Sequence, residues 1–234
     1  MTRIIGHRGA AGLALENSHE SIMQALGMGI DAIELDIRRT QDGQLVVMHD
    51  ATTRRVAART VRVNAVTLAT LQKLRLKNGQ HIPTLDNILD LIGTKKPVVL
   101  DIKDVGVADE LLRLLEKHPR VQVNFTGRKH EELARLYAAR PDIPFFVQHH
   151  YDPIEIIHTA QRMHATGISL NMWLLNPLTY RLAQRYGLEV QVYTVNHRWV
   201  WRFITKLYPD VAIYTNHPQR FLRKTKRTHV RSSK

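Results

Sequence analysis

In Ile33-Glu34-Leu35-Asp36-Ile37 aliphatic and carboxylate side chains alternate. A β-strand sends successive side chains to opposite faces, so Glu34 and Asp36 leave one face together. Val98-Val99-Leu100-Asp101-Ile102-Lys103 repeats the arrangement, with Val98, Leu100 and Ile102 on one side and Val99, Asp101 and Lys103 on the other. If the aliphatic sets face a core, three carboxylates and an ammonium share the opposite side, where each desolvated charge is costly until compensated. A hard divalent cation, Mg2+ or Ca2+, takes oxygen ligands of this kind. The chain has no cysteine, which removes thiolate zinc, iron–sulfur clusters, disulfides and cysteine nucleophiles. Its chemistry therefore rests on oxygen and nitrogen groups.

Two of the 13 histidines fall close to these carboxylates. His7 ends an apolar run inside Gly6-His7-Arg8-Gly9, where flanking glycines permit a sharp turn. Gln41-Asp42-Gly43-Gln44 is a hairpin signal. A two-residue Asp42-Gly43 loop pairs Asp36 with His49, puts His49 on the carboxylate face, and leaves Val46 and Met48 beside Ile37; a bulged three-residue turn would slip that register by one. Arg8 and Lys103 add positive charge suited to a phosphate, Arg as a bidentate fork and Lys as a point charge. Two imidazoles beside an all-oxygen cation site suit phosphodiester hydrolysis. One accepts a proton from the nucleophile, the other protonates the leaving alkoxide, and the cation neutralises the nonbridging oxygens.

Such residues need a scaffold that brings strand ends together. Short apolar runs at residues 3–7, 32–38, 97–103, 121–125, 144–148, 167–171, 188–195 and 211–215 read as strands. Amphipathic segments at 18–28, 85–92, 108–117, 129–139, 153–165, 177–186 and 197–207 read as helices between them. Eight alternations predict an α/β chain folded as a (β/α)8 TIM barrel, a size that 234 residues suit. An open doubly wound sheet is the other arrangement, but no glycine-rich phosphate loop supports it. Residues 51–84, with a helical piece at 68–74, break the rhythm and read as a small insertion over one barrel end.

Residues 1–219 are expected to form the barrel and 220–234 a basic tail, which holds seven of the 34 Lys/Arg and none of the 21 acids behind a net charge of +13. The tail reads as a solvated terminus that could contact an anionic membrane. No nucleic-acid motif is visible, so no such partner is expected. No apolar run approaches a membrane span, and the first residues carry no signal-peptide core, so a cytoplasmic protein is expected.

GHRGAAGLALENS (6–18), IELDIRRTQDGQLVVMHDATTRR (33–55), VVLDIK (98–103), VYTVN (192–196) and IYTNHP (213–218) together resemble the glycerophosphodiester phosphodiesterase family. The resemblance implies a metal-dependent barrel that cleaves a small-molecule glycerophosphodiester to sn-glycerol 3-phosphate and an alcohol. By position it implies His7 and His49 as the acid/base pair, Glu34, Asp36 and Asp101 as metal ligands, and Arg8 and Lys103 as phosphate contacts. Glu16 and Asn17 resemble the family's Glu-Asn pair at the edge of the site. Three positions depart from the family: Asp101 replaces the usual Glu, Tyr193 a Trp and Asn216 an Asp. The first bears on metal choice, the others on the pocket wall. An aromatic mouth of Trp173 and Tyr193 is also consistent with a lysophospholipase D, and the shorter Asp101 with a catalytically silent phospholipid- or phosphate-binding barrel.

Overall fold

The computed structural model describes residues 2–149 and 152–221. Among the described residues nine strands run in chain order: β1 (Ile4–Gly6), β2 (Ala32–Arg39), β3 (Leu45–Val47), β4 (Val98–Ile102), β5 (Val123–Gly127), β6 (Phe145–Gln148), β7 (Gly167–Asn171), β8 (Glu189–Tyr193) and β9 (Ala212–Thr215). All but β3 pair in parallel, and β1 pairs with both β2 and β9, which closes an eight-stranded barrel. The strands are linked by α1 (His19–Leu26), α2 (Leu68–Gln72), α3 (Leu85–Ile92), α4 (Ala108–Lys117), α5 (His130–Ala139), α6 (Glu155–Arg162), α7 (Pro177–Arg185) and α8 (Arg198–Leu207). The fold is a TIM-type barrel with β3 added to β2, as a parallel sheet with crossover helices requires.

Local chemistry sets the helix starts. Ser18, Thr67, Thr84 and Asn176 each accept a backbone N–H of their own first turn. The start of α4 is capped from a neighbour, since the buried Glu132 of α5 accepts from Val107 N and Ala108 N at 2.9 and 2.8 Å.

Ile33, Leu35 and Ile37 of β2 and Val98, Leu100 and Ile102 of β4 join the main core between barrel and helices. Ile5, Ala32, Val99, Ala212 and Tyr214 form a separate small core inside the barrel. The interior is otherwise polar, with Thr126, Gln148, Ser169 and Gln191 all buried. That polarity explains a difference from the sequence reading: the fourth strand run, 121–125, was expected to stop at Phe125, whereas β5 continues to Gly127, its inward Thr126 donating to Phe146 O at 3.1 Å.

The β2–β3 hairpin corrects the expected register. Its pairs are Ile37 with Val47, Arg38 with Val46 and Arg39 with Leu45, one residue off the two-residue loop. Thr40 N donates to Gln44 O at 2.9 Å, and Gly43 takes φ +83°, the left-handed position of a bulged three-residue turn. Two side chains favour the wider turn: Thr40 Oγ1 accepts from Gln44 N at 2.9 Å, and Asp42 accepts from Leu68 N at 3.0 Å. Consequently Val47, not Val46 and Met48, packs beside Ile37. Val46 and Met48 instead join Val56, Val63, Leu71, Leu74, Leu76 and Ile82 in the insertion's own small core.

Phe221 is buried, its ring 5.7 Å from that of Trp201 on α8, so barrel packing extends past the expected boundary at 219. The rest of the expected tail, residues 222–234, lies outside the described residues. Among the described residues no helix is long and apolar enough to cross a membrane.

Candidate active site

Strands β2 and β4 pair with Asp36 opposite Asp101 and Glu34 opposite Val99, so the alternating carboxylates converge. Glu34, Asp36 and Asp101 are each less than a tenth exposed, and each offers an oxygen within 4.8 Å of the others. Lys103 Nζ lies 2.9 Å from Asp36 Oδ1 and 2.6 Å from Asp101 Oδ2, and Arg8 Nε lies 3.2 Å from Asp36 Oδ2. Burial, followed by the charges of Asp36 and Asp101, pushes the Glu34 carboxyl well above the usual range. Burial also raises Asp101, against the pull of Lys103. For Asp36 burial is outweighed by Lys103 and Arg8, and the carboxyl is held below its ordinary range. Three carboxylates face two cations here, which leaves an excess negative charge. Asp36 Oδ1 accepts no hydrogen bond of good geometry. A buried, all-oxygen, under-compensated cluster fits a hard divalent cation.

His7 follows β1 and donates its backbone N–H to Thr215 O at 2.9 Å. Arg8 takes φ +54°, a left-handed conformation costly for a side-chain residue. It is held by its own N–H, which donates to Glu34 Oε2 at 2.7 Å, and by its carbonyl, which accepts from Asn17 N at 3.0 Å. Gly9 follows at φ +81°, where a Cβ would sit 2.8 Å from Ser21 O. His7 Nδ1 is 2.6 Å from Asn216 Oδ1. An amide oxygen only accepts, so Nδ1 carries the proton and Nε2 keeps its lone pair, 3.9 Å from Glu34 Oε2. Burial and Arg8 lower the His7 pKa to about 4, against the opposing pull of Asp36 and Asn216. The ring is neutral at neutral pH.

His49 reaches the same pocket by another route than the expected ladder. The chain bends after β3, and Arg38 Nε holds the bend by donating to His49 O at 2.8 Å, while its Nη1 donates to Asp104 Oδ1 at 2.5 Å. His49 Nδ1 lies 2.7 Å from Asp50 Oδ1, and Asp50 Oδ2 accepts from Arg55 Nε at 2.7 Å. Arg55 in turn donates from Nη1 and Nη2 to both oxygens of Glu16 at 2.6 Å, and Arg8 Nη1 donates to Glu16 Oε1 at 2.7 Å. Glu16 thus ties the His49 side of the site to the Arg8 side. Asn17 donates from Nδ2 to Asp36 Oδ2 at 2.7 Å.

A pocket of about 360 Å³ is lined by His7, Arg8, Glu34, His49, Asp101, Lys103, Arg128, Gln148, Asn171, Tyr193, Thr194 and Tyr214. Of the residues singled out in the sequence, Asp36, Glu16 and Asn17 support this lining from behind. Trp173 does not line it; it stands 79% exposed after β7. Arg128, Gln148, Asn171 and Tyr214 were not visible as site residues. Arg128 directly follows β5 and Gln148 and Asn171 end β6 and β7, so a C-terminal strand position was the available signal. Placing the end of β5 at Phe125 hid it for Arg128. Asn216, expected at the pocket wall, is instead the partner of His7. Gln148 Nε2 donates to Asp101 Oδ2 at 3.2 Å, which makes it a partner of the shorter carboxylate.

Residues 7–220 match the Glycerophosphoryl diester phosphodiesterase family. A glycerophosphodiester phosphodiesterase of Bacillus subtilis is 26% identical over 93% of this chain and 84% of its own length. A lysophospholipase D of Mus musculus is 28% identical over 62% of this chain and 51% of its own length. The crystal structure of a glycerophosphodiester phosphodiesterase from Agrobacterium tumefaciens superposes with a TM-score of 0.80 at 25% identity, covering 93% of this chain and 97% of that one. An Oleispira antarctica phosphodiesterase, solved in complex with its product sn-glycerol-3-phosphate, shares the fold with a TM-score of 0.87 at 21% identity over 94% of this chain and 95% of that one.

Proposed function

The chain belongs to the glycerophosphoryl diester phosphodiesterase family, and we propose that it hydrolyses glycerophosphodiesters to sn-glycerol 3-phosphate and an alcohol with His7 and His49 as its proton-transfer pair. The observation that carries this reading is that both imidazoles line one pocket with Glu34, Asp101 and Lys103, each with its Nδ1 already engaged and its Nε2 left for chemistry.

His7, neutral and with its lone pair on Nε2, takes the proton of an attacking water. The water oxygen bonds to phosphorus as the bond from phosphorus to the alcohol oxygen breaks. His49 gives its Nε2 proton to that departing oxygen, and Asp50, at Nδ1, keeps the ring oriented throughout. The two rings exchange protons with solvent before the next turnover. Arg8 and Lys103 draw the phosphate into the pocket, while Glu16 and Asn17 hold Arg8 and Asp36 in place. Tyr193 forms a wall of the pocket, and Trp173 stands exposed after β7, the strand that brings Asn171 to it. Glu34, Asp36 and Asp101 would hold Mg2+ or Ca2+, which supplies charge to the nonbridging oxygens in the transition state.

The similarity to a mouse lysophospholipase D and the exposed Trp173 favour a second reading, cleavage of lysophospholipids by the same groups. Chelator-sensitive release of choline from glycerophosphocholine, with glycerol 3-phosphate as the co-product, faster than choline release from lysophosphatidylcholine, is the expected result. A preference for lysophosphatidylcholine would install the second reading, and no chelator-sensitive release from either would refute both.

A further inference from the structure

Helix α8, Arg-Trp-Val-Trp-Arg-Phe-Ile-Thr-Lys-Leu, buries Ile204 and half-buries Val200 and Trp201, yet it leaves Trp199, Phe203 and Leu207 exposed at 70%, 61% and 48%. These three stand four residues apart, so each is turned only about 40° from the last and they make one stripe. Arg198, Arg202 and Lys206, also exposed, repeat with the same spacing and make a second stripe directly beside it. The helix contains no acidic residue. A surface helix of a globular protein ordinarily turns charged and polar groups to solvent. Here half of the outward arc is aromatic or aliphatic and the other half is cationic.

We infer that this outward face of α8 docks the protein on an anionic lipid surface, with Trp199, Phe203 and Leu207 entering the headgroup boundary and Arg198, Arg202 and Lys206 meeting lipid phosphates. The combination of a Trp/Phe/Leu stripe with a Lys/Arg stripe is what an interfacial helix requires. Charge decides among occupants. A second copy of this face would set three cations against three cations. The chain's own residues 222–234 carry six Lys/Arg and no acid, so they too are repelled from it. Those six follow in sequence from Phe221, which packs on Trp201 of the same helix, and so add to the attraction for an anionic surface. The position suits the pocket as well, because Arg198 follows the pocket-lining Thr194 after a short loop.

Binding needs no turnover, so its test is independent of the proposed reaction. The full chain is sedimented with phosphatidylcholine vesicles, with and without added phosphatidylserine, at low and high salt. Binding is expected only with phosphatidylserine and weaker at high salt. Trp199→Ser/Phe203→Ser should weaken it by at least about tenfold. Arg198→Gln/Arg202→Gln/Lys206→Gln should weaken it on the order of a hundredfold at low salt. Both variants should keep the parent's circular-dichroism spectrum and melting temperature, which shows that they fold; the triple Gln variant decides if the other does not fold. Parental vesicle binding by the folded variants overturns the proposal. So does a loss of binding confined to a protein whose tail Lys/Arg are Gln. A dimer seen by light scattering that Trp199→Ser/Phe203→Ser dissociates, or parent binding to single-stranded RNA but not to vesicles, assigns the face to another partner and equally overturns it.

Discussion

His7 Nδ1 and Asn216 Oδ1 meet at 2.6 Å across the seam where β1 closes on β9. The acceptor is an amide, so it orients the imidazole and selects its tautomer without adding charge. Asn216 is itself fixed, its backbone N–H donating to Asn196 Oδ1 at 2.9 Å.

Asn216→Asp is therefore expected to preserve the contact but raise the His7 pKa from about 4, since a carboxylate favours the imidazolium. Activity that depends on neutral His7 is lost as pH falls through that pKa, so the acid limb of the pH–rate profile should move to higher pH. Asn216→Ala should lower turnover without that shift, by about tenfold. Parallel pH–rate profiles of the three proteins decide it; an unmoved acid limb in Asn216→Asp means His7 is not the group titrating there.

His7→Ala and His49→Ala should each lose at least about a hundredfold in turnover with the fold intact, the usual size of a general acid/base contribution. Single-turnover rates at neutral pH, with circular dichroism as the fold check, measure this. A variant that keeps parental turnover removes its residue from the proton-transfer pair.

Asp50 carries a pH-dependent share of stability. Burial raises its carboxyl, but hydrogen bonds from Arg55 and His49 outweigh that and hold it at about 2, below the ordinary 3.8. A carboxyl lowered in the folded state stabilises the protein above the unfolded value and loses that contribution as pH falls through the folded one. The stability gap between the parent and Asp50→Asn should thus be widest above pH 3.8 and close toward pH 2. Because Asp50 is partly exposed, solvent screening keeps the gap small. Urea titrations across that range test it, and a gap that widens toward acid would contradict the assignment.

Asp101 is expected to serve the cation despite its short side chain, since Lys103 and Gln148 hold Oδ2 and leave Oδ1 to turn inward. Asp101→Asn should cut metal-dependent activity by at least about tenfold. Asp101→Glu should stay active with a changed preference between Mg2+ and Ca2+, because Mg2+ demands the stricter geometry. Rates measured against each added ion check this. Parental rate and apparent metal affinity in Asp101→Asn would move the third ligand elsewhere.

Much of the barrel is legible in the chain because its causes are local. Alternation in 33–37 and 98–103 is set by the two-residue period of a strand, and the aliphatic halves do face the helices. The polar barrel interior was the harder part. Thr126 looks like a strand break in a hydrophobicity pattern, yet it is buried and bonded inside the barrel, which is why β5 was read two residues short.

The candidate site divides in the same way. Sequence alone determined that Glu34 and Asp36 share a face and that Asp101 and Lys103 share another, because side-chain direction along one strand depends only on its own backbone. Only the tertiary structure decided which of these faces meet and who attends them. Pairing of Asp36 with Asp101 depends on the parallel register of β2 and β4, and His7 finds Asn216 only because the barrel closes. His49 arrives through a bend held by Arg38, after a turn whose extra residue is favoured by Thr40 and by the contact of Asp42 with Leu68. Those are balances between distant groups, and strand periodicity carries no information about them.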